Sequence, residues 1–310
     1  MKWNRMLVCC VLIGFGLTGC ADQSAEDSQQ GSDLGMPAPD LLSAPDLMPV
    51  DPTVACGVCF PLEDLPMSLR TRGEELLLKA LDAEALYTVA ADIKPMSSGF
   101  VSLTYPANQP ESTEVGELRQ ILAHFTCTSA ISAGVQTFAA TYSGERYVEG
   151  VFFHRRRFDE TVSAYKQLFT EIGAVAGAEP LSVVEKVDAD ATTRRFAGYG
   201  HLFGYPSYAV DFFVSAAEEE RKTGKFVERD FIQLPTYVSP RGRFVYAVPK
   251  GHVENDEDRA LRLRTEKVLD RYRTLRQTYI GPDKPGVLSL VRTWFDDGKG
   301  RCAPQHARLL

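Results

Sequence analysis

The chain has no apolar segment long enough to cross a bilayer as a helix in its most apolar stretch: Met6–Leu17 is twelve residues, where spanning takes roughly 20. A permanent transmembrane helix is not expected there. Basic residues are missing over a long interval. Residues 20–69 carry nine acidic side chains (Asp22, Glu26, Asp27, Asp33, Asp40, Asp46, Asp51, Glu63 and Asp64) and no Lys or Arg. Setting those nine aside, together with Lys2 and Arg5, reduces the 41 acidic and 34 basic residues to 32 of each. The chain from Arg70 onward is therefore formally neutral, which argues against a basic nucleic-acid surface. No H-E-x-x-H or G-x-S-x-G motif occurs, and Cys59 is followed by Phe60-Pro61 and not His, which excludes covalent haem. No repeat with a period of 20 to 50 residues is visible.

What is present begins with a three-part leader. Lys2 and Arg5 precede the apolar run, and Leu17-Thr18-Gly19-Cys20 closes it, the layout of a secretory signal. Leu17-Thr18-Gly19-Cys20 resembles the lipobox of bacterial lipoproteins. The resemblance covers only the leader, residues 1–19 plus Cys20. It implies cleavage before Cys20, diacylglycerol on the Cys20 thiol, a bacterial cell envelope as the location and the membrane as a partner through that lipid. Two acyl chains already anchor stably.

Residues 20–55 are rich in Pro, Ser, Gln and Asp, have no aromatic side chain, and repeat Pro-Asp-Leu at Pro39 and Pro45. Such a segment buries too little apolar surface to offset its ordering entropy and reads as a disordered acidic tether. Residues 56–310 then form one globular domain, since no second linker of that composition follows.

Once the leader and Cys20 are set aside, Cys56, Cys59, Cys127 and Cys302 remain. In an oxidising envelope they are expected as disulfides, with three pairings open, and zinc binding and redox catalysis are the alternatives. Cys56-Gly57-Val58-Cys59 resembles a thioredoxin-type redox motif, but the pair lies between a Pro-rich tether and Phe60-Pro61, where no helix starts to lower a thiol pKa.

Hydrophobic periodicity predicts an α+β domain with about five strands. Helical spacing covers 72–91, ended by Lys94-Pro95. A strand follows at Phe100–Tyr105, then a helix at 114–127. A hairpin at 135–142 and 146–153 turns on Ser143-Gly144-Glu145, and a helix covers 156–173. This is the opening order of a split βαβ or ferredoxin-like layout. Residues 181–222 look helical where a fourth strand is due, so a helical insertion is expected before strands near 227–234 and 243–248. A long C-terminal helix closes the pattern at about 255–279, opened by Glu254, Asp256, Glu257 and Asp258 in agreement with the helix dipole.

Candidate chemistry is thin. Ser163-Ala164-Tyr165-Lys166 and Lys222-Thr223-Gly224 imitate two motifs of penicillin-binding enzymes, but no Asn between them supplies the third. Gly198 to Gly204 imitates a dinucleotide loop without the preceding strand and reads better as a corner between two helices. Residues 196–213 hold seven aromatics, either core or a ligand groove with Tyr199, Tyr205 and Tyr208 at its mouth. His154, Arg155, Arg156 and Arg157, with Lys250, are the candidate anion-binding edge, weighed against a salt-bridged cluster. His201, His252 and Asp211 are the candidate acid and base groups.

No metal, cofactor or nucleic acid is expected. The favoured expectation is a lipid-anchored binding or structural module, with an envelope protein or a small ligand as its partner. The alternatives are an envelope hydrolase using His201 or His252, and an accessory subunit of an envelope complex.

Overall fold

The computed structural model describes residues 59–295, apart from the side chains of residues 241–243. The leader, Cys20, the acidic tether, Cys56 and Cys302 lie outside the described residues.

The apolar run over 72–91 forms two helices, α1 (Met67–Leu81) and the short, fully buried α2 (Ala85–Val89). Next come β1 (Met96–Ser97), β2 (Ser102–Pro106), α3 (Thr113–Ala123), β3 (Ile131–Tyr142) and β4 (Glu145–His154). Ser112 caps α3 by accepting the Val115 N–H at 3.3 Å. The helix buries Val115, Leu118, Ile121 and Leu122 on one face. Ser143 and Gly144 both take positive φ, 49° and 80°, as a two-residue turn matched to strand twist requires.

β4 pairs antiparallel with β1 and β2 along one edge and with β3 along the other. β2 and β3 are therefore parallel, joined through α3, with β4 inserted between them. This is the expected split βαβ unit. The edge strand is interrupted because Phe100 and Val101 lie over Gly150, where a Cβ would come within 2.6 Å of each. The strand read from Phe100 consequently starts at Ser102.

After β4 the chain forms α4 (Arg155–Ala164), α5 (Lys166–Glu171), α6 (Pro180–Ala189), α7 (Arg194–Leu202) and α8 (Ser207–Thr223). The helix read over 156–173 breaks at Tyr165, whose φ of −105° and ψ of 38° leave the helical region. Gly198 and Gly200 lie inside α7. A Cβ on Gly200 would sit 2.7 Å from Val210 of α8, so these glycines serve close helix packing and cradle no phosphate. Pro206 occupies the N-cap of α8, one position before the first-turn place expected for it. Lys222-Thr223-Gly224 is the end of α8, with Gly224 as its left-handed cap.

β5 (Arg229–Thr236) and β6 (Ser239–Pro249) pair with each other as a separate two-stranded sheet. They do not supply the fourth strand of a ferredoxin-like sheet. Ile232, Leu234, Phe244, Tyr246 and Val248 line one face of the hairpin and enter the main core, so the hairpin buries a face and leaves the sheet edge unextended. α9 (Asp256–Tyr279) is the expected long helix, and α10 (Val287–Arg292) follows.

Both faces of the main sheet are covered. Val135, Val148 and Phe152 point into the main core, where Phe152 stacks on Phe125 at 5.4 Å. On the other face Phe153 meets Phe158 of α4 edge-on at 5.5 Å. The free edge of β3 is blocked by side chains: Arg119 donates to the Val135 carbonyl at 3.2 Å, and Asp188 accepts the Ala139 N–H at 2.6 Å. Such blocking suppresses edge-to-edge association.

Cys59 and Cys127 form a disulfide, which selects one of the three pairings and removes Cys59 from any redox pair with Cys56. Arg292 of α10 reinforces the same corner, donating to the carbonyls of Cys59 and Phe60 at 2.8 and 3.0 Å and to Glu63 at 2.7 Å. The bond spans a sequence separation of 68 residues, so a joint Cys59→Ala, Cys127→Ala variant should lose about 2–4 kcal/mol. Urea unfolding at pH 7 should show this as a lower midpoint with retained cooperativity.

Candidate functional site

The aromatic-rich segment 196–213 is brought by the α7–α8 corner against β6 and the loop after α2. There two of its rings, Phe203 and Tyr205, join Phe244 of β6 beside a cation that belongs to the chain. Lys94 is fully buried, and its Nζ lies 4.1 Å from the ring centre of Phe244, 5.3 Å from Phe203 and 5.7 Å from Tyr205. Glu84 supplies the counter-charge at 2.5 Å. Rings around a desolvated ammonium are the arrangement of an aromatic cage, and Lys94 occupies this one.

The tyrosines expected at the mouth of a groove turn inward. The Tyr199 hydroxyl donates to Asp188 at 3.1 Å and accepts from Gln136. Burial, and then the Asp188 charge, raise its pKa well above the usual phenol value. Tyr205 stacks between Phe203 and Phe244. Tyr208 donates to Asp258 at 2.5 Å. Of the seven aromatics Tyr199 and Phe203 are buried and the other five are partly exposed; the hydroxyls of Tyr199 and Tyr208 meet their partners inside the body.

The densest polar cluster forms where α8, β6 and the start of α9 meet. Asp258 is completely buried. It accepts from Tyr208 and Tyr246 at 2.5 and 2.6 Å, from His252 Nε2 at 2.8 Å and from the Asn255 backbone N–H at 3.0 Å. Asn255 in turn accepts the Asp258 N–H at 2.9 Å, completing a capping box on α9. Burial pushes the Asp258 pKa up, but the bonds from Tyr208, Tyr246, His252 and Asn255 outweigh it and hold the carboxyl below its usual range.

His252 stacks on Tyr208 at 5.3 Å. With Nε2–H given to Asp258, a neutral His252 keeps Nδ1 as an acceptor. Its side chain is 14% exposed, so a proton-accepting nitrogen oriented by a carboxylate sits close to solvent. No Ser, Thr or Cys hydrogen-bonds to it among the described residues, so the pair is a base without an assembled nucleophile.

The other candidates separate. His201 stacks on Tyr165 at 3.5 Å, and its buried Nδ1 takes no hydrogen bond. Burial lowers its pKa to about 4. Asp211 does not bond to it. Burial raises the Asp211 carboxyl, and the acid/base pairing of the two is corrected.

His154 caps α4 by accepting the Arg157 N–H at 3.4 Å. Arg155 pairs with Glu179 at 3.0 Å, Arg156 with Glu160 at 2.9 Å and with Asp92, and Arg157 with Glu160 at 2.9 Å. Lys250 pairs with Asp230 at 3.0 Å, on the β5–β6 hairpin. The expected anion-binding edge is thus a set of ion pairs, in which carboxylates offset cations at a helix N-terminus. A concavity of about 390 Å³ between the hairpin and α9, lined by Pro235, Pro240, Arg262, Leu269 and Arg273, contains none of these candidates.

Comparison with known proteins finds no matching family model, no matching curated protein and no matching solved structure.

Two pH responses follow. His201 binds a proton near pH 6.5 when unfolded and only near pH 4 when folded, so stability falls as pH drops through that window, by up to about 3 kcal/mol. Asp258 acts with the same sign at lower pH: its lowered pKa contributes stability that is present above the unfolded carboxyl pKa and is lost at more acid pH. Urea unfolding from pH 7 to pH 3 should therefore lose its slope between pH 6.5 and 4 in His201→Phe. In Asp258→Asn the slope below pH 4 should flatten, on top of a loss at pH 7 of roughly 2–4 kcal/mol from unpaired buried groups. An unchanged slope between pH 6.5 and 4 in His201→Phe would contradict the assignment of His201.

Proposed function

We propose that this chain is a lipid-anchored protein of a bacterial cell envelope, with a lipid on Cys20 and a body that acts as a binding or structural module. The observation that carries this reading is the order Lys2 and Arg5, apolar run, Leu17-Thr18-Gly19-Cys20 and then an acidic segment without a basic residue. No described helix is long and apolar enough to cross a membrane, so attachment through a lipid asks nothing further of the described body. The way Arg155, Arg156, Arg157, Tyr199 and Tyr208 are each taken up by internal partners supports a structural role over turnover.

A hydrolase is the second reading, and the His252–Asp258 contact is the observation that favours it. In that reading His252 Nδ1 accepts the proton of a water or a substrate hydroxyl, and Asp258 fixes the ring and steadies its charge.

The anchor is tested by growth with labelled fatty acid followed by fractionation. The natural chain should take up label and sediment with membranes. Cys20→Ala should be unlabelled and should leave the membrane fraction, because the covalent chains carry the anchoring free energy. Label on the Cys20→Ala chain would refute the assignment.

A further inference from the structure

The charges of α9 are sorted by flank. Arg262, Glu266, Asp270 and Arg273 line the concavity toward the β5–β6 hairpin. There Arg262 pairs with Glu254, and Arg273 with Asp270. Glu266 and Asp270 are the only acidic residues of α9 beyond its first turn, so another flank is left without any. That flank carries Arg264, Lys267 and Arg271, at steps of three and four that make one stripe about 10 Å long. Lys267 and Arg271 are exposed and Arg264 is half-buried. None of the three takes a hydrogen bond or ion pair among the described residues. Leu263, one turn before Lys267, is 68% exposed and borders the stripe.

The base of the stripe has no spare carboxylate. Burial lowers the Arg264 guanidinium pKa, Asp92 opposes that shift, and Arg157 adds to it. Asp92 is already paired with Arg156, and Glu160 with both Arg156 and Arg157. The chain from Arg70 onward is formally neutral, so the positive excess is local to this face. Such a surface gains from an anionic partner.

The side chains present select the kind of partner. A leucine held in water beside a row of long cations has the makeup of a helix face that lies on an anionic bilayer. The charged heads reach lipid phosphates while the aliphatic stems and the leucine enter the acyl boundary. An acidic protein surface would engage the cations and leave Leu263 without a role. We propose that the flank of α9 formed by Leu263, Arg264, Lys267 and Arg271 docks on a bilayer of anionic phospholipid. The contact belongs to the body, does not depend on a lipid at Cys20, and sets which face the body turns to the membrane. Each Lys or Arg near an anionic surface strengthens binding about fivefold, so the three cations together contribute ~100-fold.

The test labels amines with a membrane-impermeant acetylating reagent and reads each lysine by mass spectrometry. It uses the full chain carrying Cys20→Ala, free and with vesicles of phosphatidylcholine alone or mixed equally with phosphatidylglycerol. The readout is local to α9, so it is the same whatever else holds the chain to a vesicle. On the mixed vesicles Lys267 should label more slowly than in free solution, while Lys222 and Lys225, exposed at the end of α8, should keep their rates. Arg264→Gln with Arg271→Gln should weaken docking by about 30-fold and restore the free rate at Lys267. Arg271→Gln alone, at an exposed position, should restore it in part and keeps the test decisive if Arg264→Gln disturbs folding. Raising salt to ~1 M, where the Debye length is about 3 Å, should also release Lys267. Equal labelling of Lys267 in free solution and on the mixed vesicles would overturn the proposal, as would equal protection on phosphatidylcholine alone. Protection that survives both arginine substitutions, or that extends equally to Lys222 and Lys225, would overturn it as well. Polyglutamate in free solution that protects Lys267 as fully as the mixed vesicles would assign the stripe to an acidic protein, and the bilayer would be rejected.

Discussion

A carboxylate removed from water must be given replacement hydrogen bonds, and that constraint sets how the elements of this body are joined. Its three buried aspartates, Asp82, Asp188 and Asp258, are each held by tyrosine. Asp82 accepts from Tyr272 at 2.8 Å and from Arg276 at 2.7 and 2.8 Å, which ties the end of α1 to the last turns of α9. Asp188 accepts from Tyr199 and from the Ala139 N–H, tying α6 to α7 and to the edge of β3. Asp258 gathers Tyr208, Tyr246 and His252, tying α8, β6 and the start of α9. Each clasp joins elements far apart in sequence. Removal of the shared carboxylate leaves its buried donors without compensation.

The Lys94 cage obeys the same rule with the opposite sign. A fully buried ammonium is tolerated because Glu84 and the faces of Phe203, Tyr205 and Phe244 replace its hydration. Two rings of the aromatic-rich segment 196–213, Phe203 and Tyr205, serve this internal demand.

Charge is also distributed unevenly along the chain. The acidic excess lies before residue 70, the body is formally neutral, and the cations of α4 are matched by Glu160, Glu179 and Asp92.

Helices, strands and the split βαβ unit were legible because apolar periodicity and turn residues act locally: Ser143-Gly144 sets the hairpin, and α9 opens on its acidic first turn. The leader's resemblance to a lipobox, the acidic segment and the neutrality of the body were read from residue order alone. Tertiary structure decided what depends on contacts distant in sequence. It chose Cys127 as the partner of Cys59, split the edge strand over Gly150 and kept β5 and β6 out of the main sheet. It also turned Tyr199 and Tyr208 inward and brought His252 to Asp258 rather than His201 to Asp211. The capping box of Asn255 and Asp258 was not read from the sequence, although their N-x-x-D spacing is its local pattern. Nothing local signalled that Tyr208 and Tyr246 would arrive at the same carboxylate, because a buried charge is satisfied by whatever the packed fold places beside it.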